Sequence, residues 1–199
     1  MMLRKQLMIL GIGILLLLAA LPIAYLTWPA RTPVAVTIDE TALQSLGQLQ
    51  NDSGKRVADD WQGQRWALIF FGFTHCADIC PATLSHISQV LDQLGDTAEQ
   101  LQPIFITLDP QRDTPEQLAA YLSFFDERIL GLTGTTEQIR QVADAWGVYS
   151  RRVPLNDTYM LDHSTTLFLL EPGGDLNQRF SGQMDSDSMA REIAALLND

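Results

Sequence analysis

Cys76 and Cys80 are the only two cysteines in 199 residues, and three residues separate them. They stand in F-F-G-F-T-H-C-A-D-I-C-P, Phe70 to Pro81, directly after the apolar run Trp66–Phe71 and directly before a helix-like pattern. A buried strand, a tight loop and a helix start suit reactive thiols, because the N–H groups at a helix N-terminus favour a thiolate. Sulfurs at i and i+4 on a helix end also share one face. Two readings compete: a pair of small buried hydrophobes or a short staple, and a redox or metal-binding dithiol. A staple over so short a loop removes little entropy from the unfolded chain. The whole cysteine content also sits at one helix mouth, flanked by His75 and Asp78. The dithiol is the stronger reading.

A third donor has to come from the three histidines. His75 borders Cys76, but neighbours in an extended segment point their side chains apart, so a packing role is expected of it. His86 falls on the polar face of the following helix and reads as a surface residue. His163 lies 83 residues beyond Cys80, in L-D-H-S just before an apolar run. A lone histidine at a strand start is more often a satisfied structural group; Asp162 beside it and the dithiol opposite reverse that preference here. Two thiolates and one imidazole form a soft set of three, which suits Cu(I) because that ion prefers sulfur and accepts low coordination. The same donors hold Cu(II) in tetragonal surroundings, so one site takes either oxidation state. Structural zinc generally wants four protein ligands, and Asp78 or a water would have to supply the fourth.

The elements that must position these groups are legible from periodicity. Trp66–Phe71 is the central buried strand, and Pro81 fits the first turn of the next helix. In that helix Leu84, Ile87, Val90, Leu91 and Leu94 recur at helical spacing. Pro103–Leu108 is a second buried strand. D-P-Q-R-D-T-P-E-Q-L then starts a helix, with Asp113 or Thr114 as cap and Pro115 in the first turn. Ile129–Thr133 is a short strand. Thr135 or Thr136 caps a helix that presents Ile139, Val142, Ala143 and Trp146 on one face and closes at Gly147. Tyr149–Met160 reads as a loop, Thr165–Leu170 and Asn177–Phe180 as adjacent strands, and Asp187–Leu197 as a last amphipathic helix. N-D-S-G within Leu46–Val57 signals an N-terminal β-hairpin. Strands alternating with helices, then two strands and a helix, fit a three-layer α/β domain of thioredoxin-like type. There the dithiol ends a central strand, and the loop entering the later antiparallel strand, with His163, lies against it.

Ahead of this domain, Leu7–Leu26 is a run of 20 residues without a charge, preceded by Arg4 and Lys5. At 1.5 Å per residue it is long enough to span a bilayer, and the early positive charge favours a cytoplasmic N-terminus. The run exceeds a signal-peptide core and lacks a small-x-small cleavage site after it, so an uncleaved anchor is expected. The six residues before it leave no room for an organelle transit peptide, which points to a bacterial inner membrane with the C-terminal domain in the periplasm. The expected division is a membrane anchor over 1–28, a linker over 29–40 and the thioredoxin-like domain over 41–199. All 24 acidic residues, and all but two of the 13 basic ones, lie beyond the run. Such a surface repels phosphate backbones and argues against nucleic acid as a partner. In an oxidising space an idle cysteine pair closes to a disulfide, so a working pair must be kept reduced or be protected by a metal.

Three motifs in order carry a family likeness: G-F-T-H-C-A-D-I-C-P, T-L-D-P-Q-R-D-T-P-E and L-D-H-S. From about Val36 to the end the sequence resembles the Sco/SenC family of membrane-anchored, thioredoxin-like copper proteins that assist cytochrome c oxidase assembly. The resemblance implies that Cys76, Cys80 and His163 are copper ligands. It also implies delivery of copper to the dinuclear centre of oxidase subunit II, with another periplasmic copper chaperone or a thiol–disulfide reductant as further partners. The alternative on the same residues is a thiol–disulfide oxidoreductase that reduces that subunit's cysteines before metallation. There Cys76 would attack, Cys80 would resolve and His163 would lower the thiol pKa. Ala77 departs from the family pattern, which usually has proline there; no ligand is lost, and the effect falls on the stiffness of the loop.

Overall fold

The computed structural model describes residues 40–51, 53–56 and 63–198. The chain divides into units 1–35 and 36–199, and every described element belongs to the second. The expected anchor over 1–28 and nearly all of the expected linker lie outside the described residues. Among the described residues no helix is long and apolar enough to cross a membrane.

In chain order the elements are α1 (Glu40–Leu46), β1 (Gln50–Asn51), β2 (Trp66–Gly72), α2 (Ile79–Leu94), a 3-10 turn (Gly95–Gln100) and β3 (Leu101–Thr107). There follow α3 (Pro115–Leu122), β4 (Leu130–Thr133), α4 (Thr136–Ala145), β5 (Ser150–Leu155), β6 (Thr158–His163), β7 (Thr166–Leu170), β8 (Leu176–Ser181) and α5 (Ser186–Leu197). Six strands form one sheet in the order β1-β4-β3-β2-β7-β8. Its middle is parallel, β2 with β3 and β3 with β4; β7, β8 and β1 add antiparallel edges. This is the thioredoxin-like α/β architecture.

Strand β2 is buried at every position but Trp66, because helices cover both of its faces. Alternation along the strand sends Phe70 and Phe71 to opposite layers. Phe70 meets Phe105 of β3, whose ring in turn meets Tyr121 of α3. Phe71 meets Trp146, at the end of α4, and Phe168 of β7. Helix α2 packs against α5, and α1 against α4, where the Trp146 indole N–H donates to the Ala42 carbonyl at 3.0 Å. Caps follow the sequence closely. Thr114 caps α3, and Thr135 with Gln138 forms a reciprocal capping box on α4.

Two expectations are corrected. The N-terminal hairpin shrinks to a turn at Asn51–Lys55 and a lone bridge between Gln50 and Arg56, while β1 pairs with β4 as a sheet edge. Asn51 holds that turn by accepting from the Ser53 and Lys55 N–H groups at 3.1 and 2.8 Å. The stretch Tyr149–Met160 is not a loop but most of a two-stranded hairpin, β5 with β6, turning at Asn156-Asp157. Every residue of β5 is exposed, so the ribbon lacks the alternating apolar pattern that marks a strand. Its readable signal is Asn156, which takes the left-handed conformation (φ 48°) of a two-residue hairpin turn.

Candidate metal centre

The mouth of α2 gathers the two sulfurs. Asp78 stands at the N-cap but makes no side-chain capping bond. The Cys76 sulfur takes that place, accepting from the Cys80 N–H at 3.4 Å, so the helix terminus favours negative charge on Cys76. Cys80, two residues into the helix, is buried, whereas Cys76 is half-buried and open to solvent on one side. Gly72, the last residue of β2, makes room for the inner sulfur. A Cβ there would stand 3.1 Å from Cys80 Sγ and 2.7 Å from Phe105 Cε2.

His163 ends β6 rather than lying in the loop after it, and its Nε2 stands 3.5 Å from Cys80 Sγ. Its Nδ1 lies 2.7 Å from the Ser164 carbonyl oxygen. A carbonyl only accepts, so the proton sits on Nδ1 and the Nε2 lone pair faces the sulfurs, the tautomer that a metal requires. The Phe73 ring meets the imidazole edge-on, with centroids 5.6 Å apart, and fixes its plane. One donor atom from each of Cys76, Cys80 and His163 lies within 4.8 Å of the other two. An open cleft of about 330 Å³, lined by Cys76, Asp78, Met160 and His163 among others, leads to this trio.

The two thiols divide one charge between them. A hydrogen bond from the Cys80 thiol, with the Asp78 and Cys80 N–H groups as further donors, holds Cys76 far below an ordinary thiol, to about 3. The same thiol–thiolate hydrogen bond, with burial, pushes Cys80 strongly up. Cys76 is the thiolate and Cys80 keeps its proton until a stronger electrophile arrives.

The other sequence candidates fall away from the donors. His75 is exposed and turns to Thr74 and Asp113, its Nδ1 lying 3.0 Å from Thr74 Oγ1 and 3.6 Å from Asp113 Oδ1. His86, expected on the surface, is half-buried, with an Nδ1 that is enclosed and unpaired among the described residues. Asp78 is exposed and stands outside the trio. What periodicity missed is the role of the D-P-Q-R-D stretch. Asp113, fully buried, does not cap α3; it accepts from the Thr74 N–H (3.0 Å), the Thr74 hydroxyl (2.6 Å) and the Thr107 hydroxyl (2.5 Å). It ties β3 to the cysteine loop. An aspartate preceding a capped helix but absent from the cap is the signal that hints at such a task.

A thioredoxin-like domain with a split thiol–thiolate pair at a helix mouth, and an imidazole carried in by a separate hairpin, defines a class: dithiol proteins equipped to hold a soft metal. Comparison with known proteins sharpens this. The SCO1/SenC family model matches residues 36–198. The human mitochondrial SCO1 homologue is 40% identical over 151 residues, which cover 73% of this chain and 50% of that protein. Two solved structures are similar. Arabidopsis thaliana ScoI with copper bound has 33% identity and a TM-score of 0.70, over 75% of this chain and 94% of that one. Bradyrhizobium japonicum ScoI with copper bound has 38% identity and a TM-score of 0.68, over 76% and 94%. The chain belongs to the SCO1/SenC family. Its match spans about half the length of the human relatives.

Proposed function

We propose that this protein is a membrane-anchored copper metallochaperone that binds copper through Cys76, Cys80 and His163. It then delivers copper to the dinuclear copper centre of cytochrome c oxidase subunit II. The observation that carries the proposal is the trio of soft donors within 4.8 Å at the floor of an open cleft. Two relatives solved with copper bound support the choice of ion. Membership of a family that assists oxidase assembly supports the choice of acceptor. Copper is cargo here, and the donor set suits its handling. Two sulfurs and one nitrogen satisfy Cu(I), while the imidazole adds a donor that Cu(II) favours. Release proceeds by ligand exchange. The half-exposed sulfur of Cys76 is open to an incoming thiolate, and the remaining protein donors then leave in turn. The run Leu7–Leu26 would hold the protein in the bacterial inner membrane, with residues 36–199 in the periplasm. Another periplasmic copper chaperone would supply the ion, and a thiol–disulfide reductant would keep the pair reduced.

A second reading draws on the asymmetry of the sulfurs. A thiolate at Cys76 beside a protonated Cys80 is also how a thiol–disulfide oxidoreductase starts. Cys76 would attack a disulfide of the oxidase subunit, expelling one thiolate, and Cys80 would displace the other while closing the Cys76–Cys80 bond. Metal content and copper affinity of the reduced chain, wild type beside Cys76→Ala, Cys80→Ala and His163→Ala, decide between the two. One copper per chain, lost with either cysteine and bound at least about tenfold more weakly without the imidazole, supports the chaperone. Unchanged copper affinity in His163→Ala, together with failed thiol exchange, supports the reductase.

A further inference from the structure

The hairpin that brings His163 to the sulfurs has no sheet of its own to lean on. Strands β5 and β6 pair only with each other, and a two-stranded ribbon alone is marginal in water. Leu161 and Met160 pack against the core, and the polar contacts that fix the ribbon's place converge on one residue. Tyr159, Leu161 and His163 share a face of β6 by alternation. The Tyr159 hydroxyl donates to Asp109 Oδ1 at 2.6 Å. The Arg112 guanidinium lies 3.8 Å from the Tyr159 ring centroid, and that of Arg152 lies 4.5 Å from it. Arg112 also donates from Nη1 to the Tyr159 carbonyl (3.1 Å) and to Thr158 Oγ1 (3.3 Å), and from Nε to Asp109 (2.5 Å). Arg152 reaches back to Gln111 Oε1 at 2.8 Å. All these partners on the domain side belong to residues 109–112. At its other end the same short segment holds Thr74 through Asp113, two residues before Cys76.

We propose that the segment Asp109–Asp113 is a bracket joining the two halves of the metal centre, and that Arg112 and Tyr159 are positioning residues that hold His163 in coordination range of the sulfurs. The proposal rests on the reading of His163 as a ligand. A merely structural cluster would stabilise the domain without singling out the imidazole; a bracket acts through it.

The test uses the full reduced chain with Arg112→Gln, Tyr159→Ala and Tyr159→Phe, each alone and combined with His163→Ala. Arg112→Gln and Tyr159→Ala should weaken Cu(II) binding about ten- to a hundred-fold, the range for lost supports of metal ligands, and alter its electron paramagnetic resonance spectrum. Tyr159→Phe keeps the ring under Arg112 and should recover most of the affinity. In the His163→Ala background the same substitutions should change Cu(II) affinity by less than about twofold, because they act only through the missing ring. Without copper, the ring-current shift that Phe73 imposes on the His163 ring protons should collapse in Arg112→Gln. Losses that simply add to that of His163→Ala, or an unchanged His163 shift, would overturn the bracket. If Tyr159→Ala does not fold, Arg112→Gln carries both measurements. If His163→Ala itself leaves Cu(II) affinity intact, the ligand reading fails, and the copper-free shift alone judges the bracket.

Discussion

Cys76 owes its chemistry to neighbours rather than to its own side chain. The Cys80 thiol donates to it, two backbone N–H groups add to that field, and its folded value falls to about 3. The sign is plain: a depressed acid is already ionised above that value, so the thiolate population does not change across the neutral range. Alkylation of Cys76 by iodoacetamide should therefore run at a constant rate from about pH 5 to about pH 8. An ordinary thiol near pKa 8.5 would accelerate roughly tenfold per unit over the same range. A rate that climbs in that way would refute the assignment of the charge. Gly72 makes a second residue-level case. An added methyl collides with Phe105 and presses on Cys80 Sγ, and the buried ring has nowhere to retreat. Gly72→Ala should cost about 1–3 kcal/mol in urea unfolding, the usual toll of overpacking, and should weaken metal binding as the inner sulfur shifts.

Among the elements, the turn between β3 and α3 does more than connect them. Asp113 takes three hydrogen bonds in a site closed to water, and truncation would leave the Thr74 and Thr107 donors unpaired. Asp113→Ala should lower stability by roughly 2–3 kcal/mol in chemical denaturation and loosen the cysteine loop; a variant as stable as wild type would contradict its role as a tie. The capping box of α4 serves as a control for such effects, because it lies away from the sulfurs. Loss of its hydroxyl in Thr135→Ala should cost about 1 kcal/mol and leave copper affinity untouched. These elements also show why some pieces were readable and others were not. Strand β2, helix α2 and the caps at Thr114 and Thr135 follow from spacing within a dozen residues. Helix α1 is only seven residues long, too short for periodicity to reveal, and it exists because Ala42 and Leu46 are buried and Trp146 bonds to Ala42.

Over the whole molecule, stability comes from a sheet buried on both sides. Trp146 sits at the junction of α1, α4 and β7, fully enclosed, with rings of Phe71 and Phe168 against it. Trp146→Ala should cost about 3–5 kcal/mol of unfolding free energy, among the largest single losses available in this core. A loss below 1 kcal/mol would show that the layer does not depend on it. The centre itself is assembled from parts far apart in the chain: a helix mouth near residue 76, a tie at residue 113 and a hairpin end at residue 163.

By itself the sequence determined what is local: the dithiol and its spacing, the strand before it and the helix after it, and the alternating order of strands and helices. The three candidate donors could be named because their residue types, and a family resemblance spread over three motifs, survive without coordinates. Only the tertiary structure decided that Tyr149–Met160 runs into a hairpin, that His163 ends it with Nε2 toward Cys80, that Cys76 rather than Cys80 bears the charge, and that residues 109–113 grip both halves of the site. Hydrogen bonds, proton sharing and ring contacts between segments tens of residues apart leave no periodic trace. They arise only when a folded core has brought those segments together and excluded water from around them.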